Sequence, residues 1–127
     1  MEKTKITGKT KDAGWQFGIR KSVPLKLNEV WEFLFSENGI KLWLEDADQK
    51  FSTFRQLSHI RTKWKLKDWT NEATLQMRVL SNNKDKTTIA FHIDKLLNED
   101  QREETKMYWN NIIKIITEQI ASDGSSK

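Results

Sequence analysis

Cationic and apolar residues alternate along one stretch of the sequence. Its cations are Arg61, Lys63, Lys65 and Lys67, and Arg78 follows further along the chain. Successive side chains of a strand point to opposite faces, so the spacing predicts a basic row on one face. The row could bind an anionic partner, such as a protein surface, phospholipid headgroups or nucleic acid. Alternatively, it is a solvated face whose lysines discourage aggregation. Interleaved aromatics for base stacking are missing from it, so we expect no specific nucleic-acid binding.

A second set of residues is apolar and largely aromatic, and it would face the interior. The candidates for a groove between sheet and helix are Trp43, Trp64, Met77, Phe91, Tyr108, Trp109, Ile113 and Ile116, and Trp15, Phe17 and Ile19 would share their face. Such a set could line a pocket for an apolar or aromatic small molecule. The alternative is a solid core, because a sheet and a helix must bury these faces in any case.

Residues for catalysis or metal binding are scarce. The sequence has no cysteine and two histidines, which excludes thiolate zinc sites, disulfides and cysteine nucleophiles. His92 and Asp94 are two apart, but no third ligand or nucleophile accompanies them, so a surface histidine is favoured. Asp46 and Asp48 resemble a fragment of a calcium loop that lacks its glycine and its closing glutamate. We therefore expect no metal, no cofactor and no enzymatic activity.

Length and composition indicate one domain with a real core. The chain has 127 residues, 36% of them hydrophobic and 31% charged, with a net charge of +4. Six Trp and six Phe compensate for the modest apolar share, because each large ring buries much area. No apolar run is long enough to cross a bilayer or to act as a signal peptide, so we expect a cytoplasmic protein without membrane insertion.

The first half of the sequence predicts a strand followed by two short helices. A polar arm over residues 1–14 precedes an alternating strand from Trp15, which Pro24 ends. Apolar residues at helical spacing predict a helix over 27–35, with Asn28 as its candidate cap. A second short helix is expected through residues 40–44.

The second half predicts a meander of three antiparallel strands and one long helix. Alternation recurs after His59, after Ala73 and before Ile93. Asn98 and Gln101 resemble a capping box that starts the helix, and an apolar stripe runs to Ile120. The domain is therefore expected over residues 15–121, with a disordered tail over 122–127.

Residues 45–57 carry no clear pattern. Phe51 and Phe54 need burial, but their spacing of three breaks strand alternation. Thirteen residues lie between Leu44 and Ser58, too few for two strands with their connections. We predict one short strand or an irregular crossover, an open or incomplete sheet, and unusual exposure of Trp43 and Trp64 beside it.

The order of elements resembles the START-like superfamily (SRPBCC, birch-pollen-allergen-like), and most closely the activator family of the ninety-kilodalton heat-shock ATPase. The residues that carry the resemblance are Arg20–Leu34, Gly39–Leu44, Thr87–His92 and Tyr108–Trp109. It implies an α+β helix-grip fold, a curved antiparallel sheet around a long C-terminal helix. The chain departs from the family in lacking a glycine-rich hairpin after the second helix and in having Tyr108 where a glycine is usual.

The resemblance implies two functions of different classes. The first is a non-enzymatic domain that binds a hydrophobic small molecule in the groove. The second is a protein-interaction or co-chaperone-like domain that acts through its surface in a stress response. The fold can also host cyclases and dehydratases, but Thr62 and Tyr108 are the only hydroxyls expected near the groove, which is too little for acid–base catalysis.

Overall fold

The computed structural model describes residues 9–10, 14–44, 51–83 and 85–125, which form an α+β fold. Six strands are found in this part of the chain: β1 (Lys9–Thr10), β2 (Gly14–Val23), β3 (Thr53–Arg55), β4 (His59–Trp64), β5 (Ala73–Asn83) and β6 (Lys86–Leu96). Three helices accompany them: α1 (Leu27–Leu34), α2 (Glu37–Trp43) and α3 (Glu99–Ser125). The predicted fold class and the predicted order of elements are confirmed.

The described strands form one open antiparallel sheet in the order β1-β2-β6-β5-β4-β3. Strands β4, β5 and β6 are the predicted meander, and β2 joins it through β6. The helices contact one face of the sheet, which we call the inner face. In β5, alternate residues from Ala73 to Val79 are buried there, while the residues between them point to the outer face. Because each strand is buried on one face only, apolar and polar residues alternate along it, and this is why the strands could be predicted from the sequence.

The two short helices are each set by a local cap. Lys26, not Asn28, precedes the first turn of α1, and its backbone N–H donates to Glu29 Oε1 at 3.1 Å. The predicted cap at Asn28 is therefore wrong by two residues, as Asn28 lies inside the helix. In α2, Ser36 Oγ accepts from the Gly39 N–H at 3.0 Å, so this helix starts earlier than the apolar pattern indicated.

The start of α3 is held by amide side chains. The Gln101 N–H donates to Asn98 Oδ1 at 2.8 Å, and Gln101 Oε1 accepts from the Leu97 N–H at 3.0 Å. Gln101 is buried, and its amide also exchanges two hydrogen bonds with Asn71 in the loop before β5. The predicted cap is thus confirmed, and it also fixes the β4–β5 loop. The helix continues to Ser125, past the predicted end of its apolar stripe.

The stretch without a clear pattern contains one short strand in its described part. Strand β3 has three residues and ends the sheet beside β4, so the predicted open edge is confirmed. The predicted exposure of Trp43 and Trp64 is wrong: their exposed fractions are 0% and 1%. Phe54, which we expected to be buried, is 53% exposed. Asp46 and Asp48 lie outside the described residues.

Candidate functional site

The residues predicted to line a groove lie together on the inner face, where they fill the interior. Seven of the eight are buried, namely Trp43, Trp64, Met77, Phe91, Trp109, Ile113 and Ile116, and Tyr108 is partly buried. The exposed fractions of Trp43, Trp109 and Met77 are 0%. A side chain with no accessible surface has no water-sized space beside it. The structure therefore brings the candidates together as packed core.

Ring-to-ring contacts run through this core. Phe91 and Trp109 are 4.5 Å apart between ring centroids, and Trp64 lies 5.6 Å from Trp109. Trp43 reaches Phe91 from α2 at 5.8 Å. Offset and tilted pairs at these distances stabilise one another beyond their buried area. Trp109 packs fully although Tyr108 stands where the family that the sequence resembles usually has glycine, so close packing of helix and sheet is kept.

Trp69 is a core residue that the sequence analysis missed. It lies in the polar loop after β4, yet it is buried, and its ring packs 5.3 Å from Trp64. Its indole N–H donates to Glu104 Oε1 on α3 at 2.9 Å. Trp69 therefore closes the end of the inner face that was expected to be open. A tryptophan in an otherwise polar loop was the one available signal.

The core tryptophans differ in how their indole N–H groups are satisfied. Trp43 Nε1 donates to the carbonyl oxygen of Leu34 at 2.8 Å. Trp64 Nε1 and Trp109 Nε1 are buried and have no hydrogen-bond partner within the described part of the chain. A buried donor without a partner costs about 1–3 kcal/mol. The core therefore contains two polar groups that reduce its stability.

This difference predicts unequal costs for two matched substitutions. Trp43→Phe removes ring volume and also deprives the Leu34 carbonyl of its donor, whereas Trp109→Phe removes ring volume together with an unpaired N–H. We expect Trp43→Phe to lower the free energy of unfolding by about 1–3 kcal/mol more than Trp109→Phe. Urea denaturation followed by circular dichroism measures both variants. Equal costs would contradict the hydrogen-bond assignment.

The outer face carries the cationic residues, in a different arrangement from the predicted row. Arg61 and Lys63 lie on the outer face of β4, and Lys63 pairs with Glu72 at 3.7 Å. Strand β4 ends at Trp64, so Lys65 and Lys67 lie in the following loop, where Lys65 Nζ donates to the Trp69 carbonyl oxygen at 3.1 Å. This corrects the predicted four-residue row. A strand pattern alone does not show where pairing stops.

Cross-strand pairing places a longer set of outer-face residues, most of them basic, in one row across the sheet. Arg55 lies opposite His59, His59 opposite Arg78, Arg78 opposite Ala90, and Ala90 opposite Arg20. We call these five residues the arginine row. Beside its Arg20 end, a depression of about 340 Å³ is lined by Gly18, Ile19, Arg20, Ala90, Phe91 and His92. The small residues Gly18 and Ala90 keep the sheet surface low between Arg78 and Arg20.

The electrostatics of this row act on His59. Its Nδ1 is 2.7 Å from Ser58 Oγ. Desolvation, followed by the charges of Arg78, Arg55 and Arg61, lowers the pKa of His59 below its ordinary value of 6.5. Each guanidinium disfavours a further positive charge nearby. The imidazole is therefore neutral at neutral pH.

A lowered pKa of His59 predicts a pH dependence of stability with a definite sign. As the pH falls through 6.5, the unfolded chain takes up this proton before the folded chain does, so the free energy of unfolding decreases. We expect the loss between about pH 7.5 and pH 5.5 to be smaller in His59→Gln than in the original chain. Denaturation at both pH values tests this, and an NMR titration of His59 gives the pKa directly. A midpoint above 6.5 would contradict the assignment.

The other predicted polar candidates do not converge on a site. His92 lies opposite Gln76 on the outer face, and its Nε2 is 2.9 Å from Gln16 Oε1. Asp94 lies opposite Thr74, one row away from His92 on the same face. Among the described residues, no three His, Cys, Asp or Glu side chains are grouped to hold a metal ion. No helix in the described part of the chain is long and apolar enough to span a membrane.

Comparisons with known proteins extend the fold assignment. No family model matches the sequence, and no curated protein does. DynU16, from the dynemicin biosynthetic locus, has a similar structure with a TM-score of 0.71 and 13% identity, over 86% of this chain and 48% of DynU16. CalU16 from Micromonospora echinospora gives a TM-score of 0.70 and 15% identity, over 84% of this chain and 76% of CalU16.

An HSP90 activator from Plasmodium falciparum has a similar structure as well, with a TM-score of 0.64 and 16% identity, over 77% of this chain and 89% of the activator. The chain spans about half the length of DynU16. Identities this low show a shared fold and nothing of the activity. The expected helix-grip fold is thereby confirmed.

Proposed function

We propose that this chain is a non-enzymatic interaction domain that acts on a partner protein through its surface. The observation that carries the proposal is the filled inner face. Trp43, Met77 and Trp109 have no accessible surface, so a ligand would have to displace packed side chains before it could enter. The arginine row, in contrast, lies on the outer face, where Arg20 and Arg55 are exposed and the other three members are partly exposed.

A precedent for this use of the fold comes from the structural neighbours. One of them is described as an HSP90 activator, a protein that acts on another protein. The likeness is one of fold, so it supports the class of function and does not identify the partner. It agrees with the second of the two functions expected from the sequence.

Native mass spectrometry of the purified chain tests the proposal. We expect the mass of the bare polypeptide, and no increase in the fluorescence of an apolar dye such as anilinonaphthalene sulfonate. Trp109→Ala serves as a control, because its core cavity provides the space that the original chain lacks. A stoichiometric apolar molecule that co-purifies with the original chain would overturn the proposal.

Binding of an apolar small molecule remains the second candidate, and one observation favours it. The unpartnered N–H groups of Trp64 and Trp109 would suit a ligand that carries a hydrogen-bond acceptor on an apolar body. Such a ligand requires Trp64 and Trp109 to separate. In the same experiment, this candidate predicts a bound molecule that is lost from Trp64→Phe and Trp109→Phe.

A further inference from the structure

The arginine row places three positive charges on one line across the sheet, with neutral His59 and Ala90 between them. Its three arginines and one histidine come from strands β3, β4, β5 and β2, and Ala90 of β6 lies between the last two. Arg61 lies two residues from His59 on the same face and adds a further positive charge. The residues opposite Arg61 and beyond it are Gln76 and His92, so the next row along the sheet is also without a carboxylate.

The row is not neutralised within the described part of the chain. The ion pairs found there, Lys63 with Glu72 and Arg102 with Glu103, do not involve it. Arg20, Arg55 and Arg61 are exposed, and the helices pack on the opposite face of the sheet. Positive charges gathered on one face of the sheet repel one another. An anionic partner on this face would remove that repulsion, so the charge pattern is complementary to such a partner.

The dimensions of the row suit an extended peptide. Neighbouring strands are about 4.8 Å apart, so the four steps from Arg55 to Arg20 cover about 19 Å. An extended chain rises about 3.3 Å per residue, so about six residues span the row and place every second side chain against it. Successive arginines of the row are two strands, about 10 Å, apart, which is about three residues of the extended chain. A continuous run of acidic residues therefore brings a carboxylate near each guanidinium, and guanidiniums bind carboxylates through two parallel hydrogen bonds.

The chemistry of the face favours protein over the other polyanions. Single-stranded nucleic acid is bound through large aromatic side chains on which bases stack, and neither the arginine row nor the row through Arg61 contains Trp, Tyr or Phe. A membrane surface needs apolar side chains that enter the lipid, whereas the residues at the middle of the arginine row are His59, Arg78 and Ala90. The recognition elements that remain on this face are the arginine guanidiniums, which are charged, flat and carry paired hydrogen-bond donors.

We propose that the arginine row binds an acidic segment of a partner protein, a run of Asp and Glu residues lying extended across strands β3, β4, β5, β6 and β2. This inference rests on the proposed function, because it names the surface and the chemistry of the partner for a domain that acts through its surface. His59, in the middle of the row, becomes easier to protonate when carboxylates lie over it.

The test uses a fluorescent polyglutamate peptide of about eight residues at near-physiological salt. We expect Arg55→Gln/Arg78→Gln to weaken binding at least about tenfold, because two charge-assisted contacts are removed. The matched control is Lys106→Gln/Lys114→Gln on exposed positions of α3, which changes the net charge equally. This control should change the affinity less than about twofold, since it lies away from the row. The NMR signal of His59 should shift as the peptide is added.

The possible outcomes distinguish the acidic-peptide proposal from the proposed function. If both double variants lose affinity equally, or if the peptide does not bind, the row is not an acidic-peptide site, while the surface function stands. If a single-stranded oligonucleotide or phosphatidylserine vesicles bind more tightly than the peptide and with the same dependence on Arg55 and Arg78, the partner class is wrong. If the purified chain carries an apolar molecule, the proposed function fails, whatever the peptide does.

Discussion

Gly39→Ala is expected to destabilise the protein by about 3 kcal/mol, although alanine is normally the better helix residue. Gly39 lies in the first turn of α2, pressed against the end of α1. A Cβ placed there would overlap the carbonyl oxygen of Phe33 and lie 2.9 Å from its carbonyl carbon. These are backbone atoms, so the clash is relieved only if the two helices separate. Urea denaturation measures the loss.

Gly18→Ala is the matched control for this prediction. Gly18 lies within β2, where a Cβ would meet His92 Cδ2 at 3.5 Å and the Phe91 carbonyl oxygen at 3.9 Å, which are ordinary contacts. Alanine also loses less backbone entropy on folding, so we expect no cost or a gain of about 0.5 kcal/mol. Equal losses for the two variants would show that close approach to Phe33 is not the reason for glycine at position 39.

The elements that the sequence predicted well are those whose burial is one-sided. Ile60, Thr62 and Trp64 alternate with exposed neighbours because β4 faces the core on one side and solvent on the other. The stripe from Trp109 to Ile120 marked α3 for the same reason. In both cases burial acts residue by residue along one element, so the period is visible without knowledge of the partner.

A pocket and a solid core could not be distinguished from the sequence. The same aromatic residues can surround a space or fill it, and the outcome depends on whether their volumes match the gap between helix and sheet. At one end of the inner face, the space is filled by Trp69, which lies in a polar loop and packs against Trp64. Its burial depends on Glu104, 35 residues away, and no local pattern encodes such a contact.

The arginine row could not be predicted from the sequence either. Arg20, Arg55 and Arg78 belong to three strands, and β2 lies beside β6 although three strands separate them in the chain. Cross-strand neighbours follow from register, and a shift by one residue would turn these side chains to the other face. The alternating lysines were visible but misleading, because strand pairing ends before Lys65.

Ile116→Ala is expected to lower the free energy of unfolding by about 2–5 kcal/mol, the range for large aliphatic residues truncated in a core. Ile116 has an exposed fraction of 0% and lies on the stripe by which α3 packs on the sheet. Ile115→Ala is the matched control, because it removes the same atoms from the half-buried edge of that stripe and should cost less than half as much. Similar costs at the two positions would contradict the packing of α3.

The same variant tests whether the inner face is filled. Truncating Ile116 leaves an apolar cavity, and dry cavities of this kind bind xenon. Pressurised xenon should therefore raise the melting temperature of Ile116→Ala and leave that of the original chain unchanged, because a ligand stabilises only a state that has room for it. Equal stabilisation of both proteins would reveal a pre-existing cavity between sheet and helix, and would favour a small-molecule function over surface recognition.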